Sequence, residues 1–557
     1  MGSVTHPVLI KNVLRFVSEQ KTNVYCELDH RKFQGTLAIQ KENLEMSIPG
    51  MKPDSSCIKT GDTMTVSFQA GGQVYSFVTT IVSMTSHEQF LTSYPSKISK
   101  MGRRKCPRYA IPKDIHFFIS FSDPQDTSTK MTGRVIDFNT TGLRFKLDQH
   151  KLKLSQYKSP IMYTLHLSPK KIIQVKGEVK HEIVHNDSYY YGLSFLNLKL
   201  SEQQELFQYI LDTFYPSLTH RWEVEFDKFW GLLEDSGYLG EKDSVFFQGM
   251  QCQAQKVWGT LAKDPFKISQ DLVYVRNGKP LGTISATRLY EKSWLFHQLA
   301  VHPKNIAEGT VHADLYLGAF GDFILNNPHI DFLMGFYNIH NTWHRKFFDY
   351  FGQTASDASK FYVEHFHLFE PLIPESPYVD PSYPWELATA VGEEKKWILK
   401  HIQKCVPMII QEACNLDATS FEIPKTRKTY IEKGLARDRK LLILKKDREI
   451  VAFALLENAT TGINIFNLLD QAFLFYLEET PQIQTLLVKG VMNHYRSLGK
   501  KSFLLLAQKE NLEPYRTLRL QEICILKRAV FHRDLFYDYR DYLFLMFSKS
   551  LHLSALV

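Results

Sequence analysis

The chain has 557 residues, 44% hydrophobic, 23% charged and 13% aromatic. At a prior of about 150 residues per domain this predicts three to four domains, and the composition excludes a disordered or collagen-like chain. Lys plus Arg total 67 against 59 Asp plus Glu, a formal charge of +8. Over this length that suits an anionic ligand but not a coat of polymeric nucleic acid. Seven cysteines, an odd number with no C-x-x-C pair, argue against a disulfide framework and for a reducing cytoplasm. No apolar run reaches the roughly 18 residues of a transmembrane helix. The start, Met1 to His6, lacks the basic and apolar regions of a signal peptide.

Residues 1–100 read as mostly β. Alternating runs at 35–39, 63–67 and 73–78 are broken by Pro49-Gly50 and Gly71-Gly72, the pattern of a small barrel or sandwich. A basic connector, 100–108, leads into a second β-rich stretch with runs at 115–119, 132–136, 143–147, 163–167, 173–179 and 190–195. A helical pattern over 201–214, with a polar start, closes this module near residue 217.

The remainder alternates strands and helices, as α/β architecture does, and it repeats. Leu272–Ser285 is a strand, an Asn277-Gly278 turn and a strand; Leu441–Ala454 has the same form about 170 residues later. Further strands starting near Trp294 and Ile463, buried strands at 330–334 and 501–505, and helix starts at Asn341 and Asn511 keep the same spacing. The expected units are 1–100, 101–217, 218–375 and 376–557.

The second module carries a set of motifs in order. Arg104-Lys-Cys-Pro-Arg108 is R-x-x-x-R, with Arg103 extending the basic patch. Asp137-Phe-Asn-Thr-Thr-Gly142 approximates [D/N]-x-S-x-x-G, with Asn139 in the serine position, and Gly192-Leu-Ser-Phe195 ends a later strand. In this order the motifs resemble the PilZ domain, the bacterial receptor for cyclic di-GMP. With the β module before it, residues 1 to about 217 look like the YcgR-type arrangement. The resemblance implies that Arg103, Arg104, Arg108, Asp137, Asn139 and Gly142 hold the ligand. The residue chemistry agrees. A guanidinium presents a planar fork to phosphate oxygens and to guanine O6 and N7. A carboxylate accepts from guanine N–H groups. A glycine allows positive φ or close backbone approach.

The first α/β unit resembles the GNAT acyltransferase fold, so the whole chain is expected to be multidomain: two N-terminal β-barrels followed by two tandem GNAT-like α/β units. Leu295–Val301, then His302-Pro303, looks like the central strand of that family. Asn338, Asn341 and Tyr350-Phe-Gly352 resemble its later elements. The family holds acetyl-CoA or another acyl-CoA on a Q/R-x-x-G-x-G/A loop at a helix N-terminus, which implies a cofactor site around Val301, Gly309, Thr310 and Asn341. Here Val311 replaces the second glycine, and no Gln or Arg stands three before Gly309. The second unit has no glycine in the equivalent segment, Glu478–Ile483. His297, His302, Glu291 and Tyr350 are base candidates, none with a partner visible in sequence, and the catalytic residue is left open.

His181-Glu-Ile-Val-His185 matches H-E-x-x-H, a zinc motif only when both histidines share one helix face. Its neighbours Val175, Val179, Ile183 and Val184 predict a strand, which puts the two rings roughly 13 Å apart; no metal is expected. Two functions follow: a cyclic di-GMP receptor controlling an acyltransferase, or a non-enzymatic cyclic di-GMP effector acting on a protein partner such as the motility machinery.

Overall fold

In the computed structural model the described residues run from 3 to 547, apart from 5–6, 20, 29–30, 41, 51–58, 71–72, 87, 102–107, 125, 148–153, 157–158, 186–187, 240–244, 263–266, 307–309, 319–323, 325–326, 328, 356, 380, 508–511, 513–514, 516–517 and 519. They divide into two compact units. One comprises Met1–Leu218, Asn305–Asn327 and Phe536–Val557; the other comprises Thr219–Lys304 and Pro328–Leu535.

The first unit holds two closed six-stranded antiparallel barrels. In the N-terminal one the strands Gln73–Ser86, Thr63–Ala70, Val24–Leu28, Arg31–Gln40, Asn43–Ser47 and Gln89–Ser93 pair in that order, and the last returns to the first. Alternation drives closure: Val24, Cys26 and Leu28 point inward while Tyr25 and Glu27 face out. A helix, Pro7–Glu19, packs on this barrel. Ile10, Val13, Leu14 and Val17 are buried on one face, with Pro7 at the first helical position, where its missing N–H costs nothing.

The second barrel closes through Phe118–Ser122, Ile161–Ser168, Lys171–His185, Ser188–Leu196, Gly142–Leu147 and Lys130–Asn139. The helix Leu200–Phe214 packs Tyr209 against Phe117 and Phe138, at ring separations of 5.3 and 5.5 Å. Glu202 starts that helix by accepting the Lys199 N–H at 2.8 Å. The H-E-x-x-H segment lies within the strand Lys171–His185, so its histidines are not one helical turn apart. Among the described residues no cluster of three His, Cys, Asp or Glu is placed to hold a metal, and no helix is long and apolar enough to cross a membrane.

The second unit contains a duplicated α/β motif. Ser269–Arg276 and Lys279–Arg288 form a hairpin over Asn277-Gly278; Arg437–Lys446 and Glu449–Ala459 form one over Asp447-Arg448. All four turn residues have positive φ, as two-residue hairpins with the strands' own twist require. Each hairpin carries a bulge at the same place, between Tyr274 and Val275 and between Leu444 and Lys445. Each continues antiparallel into a third strand, Ser293–Val301 or Gln471–Tyr476, which pairs in parallel with a fourth, Phe332–Asn338 or Leu504–Ala507.

The halves then exchange their last strands. Phe361–Phe369, from the first, pairs with Leu504–Ala507; Glu522–His532, from the second, pairs with Phe332–Asn338. The two exchanged strands also pair with each other, so one sheet runs through both halves. The third strand of the second half begins at Gln471, not near Ile463. Residues 460–470 instead turn around Asn464, whose side chain accepts from the Phe466 and Leu468 N–H groups, with Gly462 and Asn467 at positive φ. Asn511 lies outside the described residues.

Candidate functional site

The strand Lys130–Asn139 puts Met131, Gly133 and Val135 toward the barrel interior. Strict alternation would point residue 137 inward as well. A bulge between Val135 and Asp137 breaks the parity, so Phe138 fills the core while Asp137 turns to the outer rim. Re-aiming one side chain is what a bulge beside a site does.

Asp137 lies between two arginines. Its Oδ1 is 2.9 Å from Arg108 Nη1 and its Oδ2 is 2.7 Å from Arg144 Nη2. The carboxylate is 3% exposed, against 15% and 34% for the two arginine side chains. One buried negative charge therefore organises two guanidiniums that reach toward solvent, and the trio keeps a net positive charge. That is an anion-facing surface with forked donors.

The Oδ1 of Asn139 accepts from the Thr141 N–H at 3.0 Å and from Thr141 Oγ1 at 2.9 Å, an Asx turn that shapes the 139–142 connection. Gly142 is needed for close approach, since a Cβ there would run into the Leu193 carbonyl of the neighbouring strand. Gly192, directly across from both Arg144 and His181, leaves room for the His181 ring. Arg108, Asp137, Asn139 and Gly142 thus meet at one end of the barrel, while Arg103 and Arg104 lie outside the described residues. Sequence reading missed Arg144. The signal was present: two residues past Gly142 in an alternating strand, it had to face outward, on the side of Asp137 once the bulge is allowed for.

The residues expected at an acyl-CoA site are distributed differently. Val301 ends its strand, and Asn341 caps the helix Thr342–Thr354 by accepting the His344 N–H at 3.1 Å. Thr310 opens the helix Thr310–Tyr316, which is part of the other compact unit and packs there with Phe536–Phe547; Gly309 lies outside the described residues. In the second half the equivalent helix, Pro481–Ser497, starts with a Thr480 cap and a proline, preceded by Glu478 and Glu479, a poor seat for a pyrophosphate. Of the base candidates, Glu291 is paired with Lys425 at 2.9 Å and Tyr350 is exposed. His297 is buried, and burial pushes its imidazole down to about 4.

Residues 102–212 match the PilZ domain family model. This defines the class of the second barrel: the chain carries a PilZ domain. No curated protein matches the chain. Among solved structures it is similar to Escherichia coli YcgR in complex with c-di-GMP, with 14% identity, 38% of this chain and 91% of that one covered, and a TM-score of 0.30. It is also similar to K. pneumonia MrkH in its c-di-GMP complex (16% identity, 38% and 96% covered, TM-score 0.30). A Drosophila protein from a structural genomics consortium covers more of this chain, 57%, and 98% of its own length, at 11% identity and a TM-score of 0.33.

Proposed function

We propose that the protein is a cyclic di-GMP receptor and effector, its ligand held by the PilZ domain through Arg103, Arg104, Arg108, Asp137, Asn139 and Gly142, with Arg144 as a further contact. The observation that carries this reading is the Arg108–Asp137–Arg144 bracket at the rim of the family-matched barrel. Each guanidinium offers paired donors to a phosphate or a guanine edge, a contact worth about 1–3 kcal/mol. The test is calorimetric titration of cyclic di-GMP, at fixed salt, into the wild type and Arg104→Ala/Arg108→Ala. Saturable binding lost in the double variant is expected; no binding at high micromolar ligand would refute the reading. The site chemistry and the absence of a membrane-crossing helix among the described residues suit a cytoplasmic protein.

The duplicated unit favours a second, finer reading: two GNAT-like halves, with an acyl-CoA bound at the first. Its support is the parallel strand pair of the first half. Pairing covers only Ser293–Phe296 against Phe332–Gly335, although the first of these strands runs on to Val301. The strands part beyond Phe296 and leave a wedge in the sheet. Thiol release from acetyl-CoA, with and without cyclic di-GMP, separates a regulated acyltransferase from an effector that works by protein contact alone.

A further inference from the structure

The two halves of the duplicated unit build the same sheet with different chemistry on one face. Their hairpin turns set Asp271 against Leu441 and Ser285 against Leu455. Through the third strands, Ser285 lies opposite His297, and Leu455 opposite Phe473. Directly opposed residues of antiparallel strands share a face, so each half has one transverse row: Leu441–Leu455–Phe473 in the second, Asp271–Ser285–His297 in the first. The apolar row belongs to a continuous hydrophobic core. The polar row is as deeply buried, with Asp271 and Ser285 each 1% exposed and His297 8%. The fold therefore does not demand polar residues there.

The polar row is also incompletely satisfied. Asp271 Oδ2 is 3.2 Å from Arg221 Nη2 and accepts from Ser269 Oγ at 2.8 Å. His297 Nε2 lies 2.7 Å from Thr287 Oγ1, and Ser285 Oγ donates to Gln298 Oε1 at 2.9 Å. Asp271 Oδ1 and His297 Nδ1 are buried with no hydrogen-bond partner among the described residues. A buried orphan of this kind is destabilising, and in a native protein it calls for an explanation. On the next rung, by contrast, the second half pairs charge with charge, Arg439 with Glu457 at 2.6 Å, where the first has Ser269 and Thr287.

We propose that the Asp271–Ser285–His297 row is a binding site for a small ligand that enters with a donating O–H or N–H group, an alcohol or a primary amine. Asp271 Oδ1 accepts one such hydrogen. With the imidazole neutral and its Nε2–H given to Thr287, the Nδ1 lone pair accepts another. The guanidinium of Arg221, held over the Trp258 ring at 4.7 Å, balances the carboxylate, so the row carries no net charge to repel such a ligand.

The test is saturation-transfer NMR on the full chain with four probes: ethylamine, ethanol, benzylamine and benzyl alcohol. The amine and alcohol arms distinguish the two sources of the donor. Transfer to at least one probe is expected in the wild type, falling at least tenfold in both Asp271→Asn and His297→Phe. His297→Phe installs the residue that the second half already tolerates, and its circular-dichroism melt is expected to stay at or above that of the wild type. No transfer from any probe in the wild type, transfer undiminished in either variant, or a melt of His297→Phe lowered by more than about 5 °C would overturn the assignment and make the row a structural polar core. No thioester is present in this measurement, so a failed acyl-transfer assay leaves the site standing. The cyclic di-GMP reading is likewise untouched by its loss.

Discussion

Replacing Asp137 by Ala removes the carboxylate that pairs with both Arg108 and Arg144. A hydrogen bond to a charged group contributes about 1.5–3 kcal/mol when well shielded. The Arg108 contact, at 2.9 Å between side chains 15% and 3% exposed, falls in that range. Arg144 is 34% exposed, and solvent screening reduces its share to roughly 0.5–1 kcal/mol. The variant is therefore expected to lose about 2–4 kcal/mol of local stability. Hydrogen exchange followed by mass spectrometry on the full chain reads this directly, because amides of 130–147 report opening of that barrel edge rather than of the whole molecule. Double-mutant cycles then divide the loss. The coupling of Asp137→Ala with Arg108→Ala is expected to exceed that with Arg144→Ala by at least twofold. Couplings below about 0.3 kcal/mol for both pairs would mean that the bracket does not form in solution, and the argument from geometry to an arginine-presenting site would fail.

Three further outcomes follow from the same kind of reasoning. Gly142→Ala forces a Cβ against the Leu193 carbonyl; it is expected to cost at least about 2 kcal/mol and to weaken cyclic di-GMP binding without touching any charged group, as read by denaturant melts and calorimetry. Glu457→Ala strands Arg437 and Arg439, which pair with the carboxylate at 2.5 and 2.6 Å and are 1% and 0% exposed; a loss of roughly 3–5 kcal/mol is expected, and a melting temperature unchanged within about 2 °C would contradict it. Burial pushes His297, His344 and His494 down to about 4. Their neutral forms are favoured in the folded chain, whereas the unfolded chain takes up protons near pH 6.5, so stability is fully present above about pH 6.5 and declines as pH falls toward 4. The buried His297 accounts for up to about 3 kcal/mol and the half-buried His344 and His494 for less, and urea melts at pH 7.5, 6 and 5 should show a slope that His297→Phe reduces.

The barrels were legible because alternation is a period-two signal and each strand buries one face. Val24, Cys26 and Leu28 are a plain instance. The helix Pro7–Glu19 went unread although Ile10, Val13, Leu14 and Val17 keep helical spacing, because the surrounding β patterns dominated the segment. The hairpins of the duplicated unit were readable from their turns, since Asn277-Gly278 satisfies positive φ cheaply. The strand expected near Ile463 was not, because apolar residues Ile463, Ile465 and Leu469 are buried in a turn organised by the side chain of Asn464, and hydrophobicity alone cannot separate that from a strand. In the PilZ domain the motif letters located Arg108, Asp137 and Gly142. Arg144 needed the bulge, which is a property of register and leaves no letter in the sequence. The polar row of the first half was invisible for the same reason: Asp271, Ser285 and His297 line up only because bulges at Tyr274/Val275 and Thr283/Ser285 shift the pairing.

The strand exchange constrains how the second half can be understood. A degenerate copy joined by a linker could be removed without harm. Here Glu522–His532 supplies the antiparallel neighbour of Phe332–Asn338, and Phe361–Phe369 supplies that of Leu504–Ala507. Cutting the chain between the halves would leave each fourth strand with an open edge, a row of unpaired N–H and C=O groups. Buried contacts reinforce this dependence: Tyr290 of the first half donates to Glu457 of the second at 2.9 Å, and Tyr430 of the second donates to the Arg288 carbonyl of the first at 2.7 Å. The second half is therefore needed on structural grounds alone, because the first half does not close its sheet without it. A fragment ending near residue 375 is accordingly expected to aggregate or remain unfolded, whereas co-expression of 376–557 as a separate chain should restore a soluble complex; a soluble, cooperatively melting 1–375 would show that the exchanged strand is dispensable.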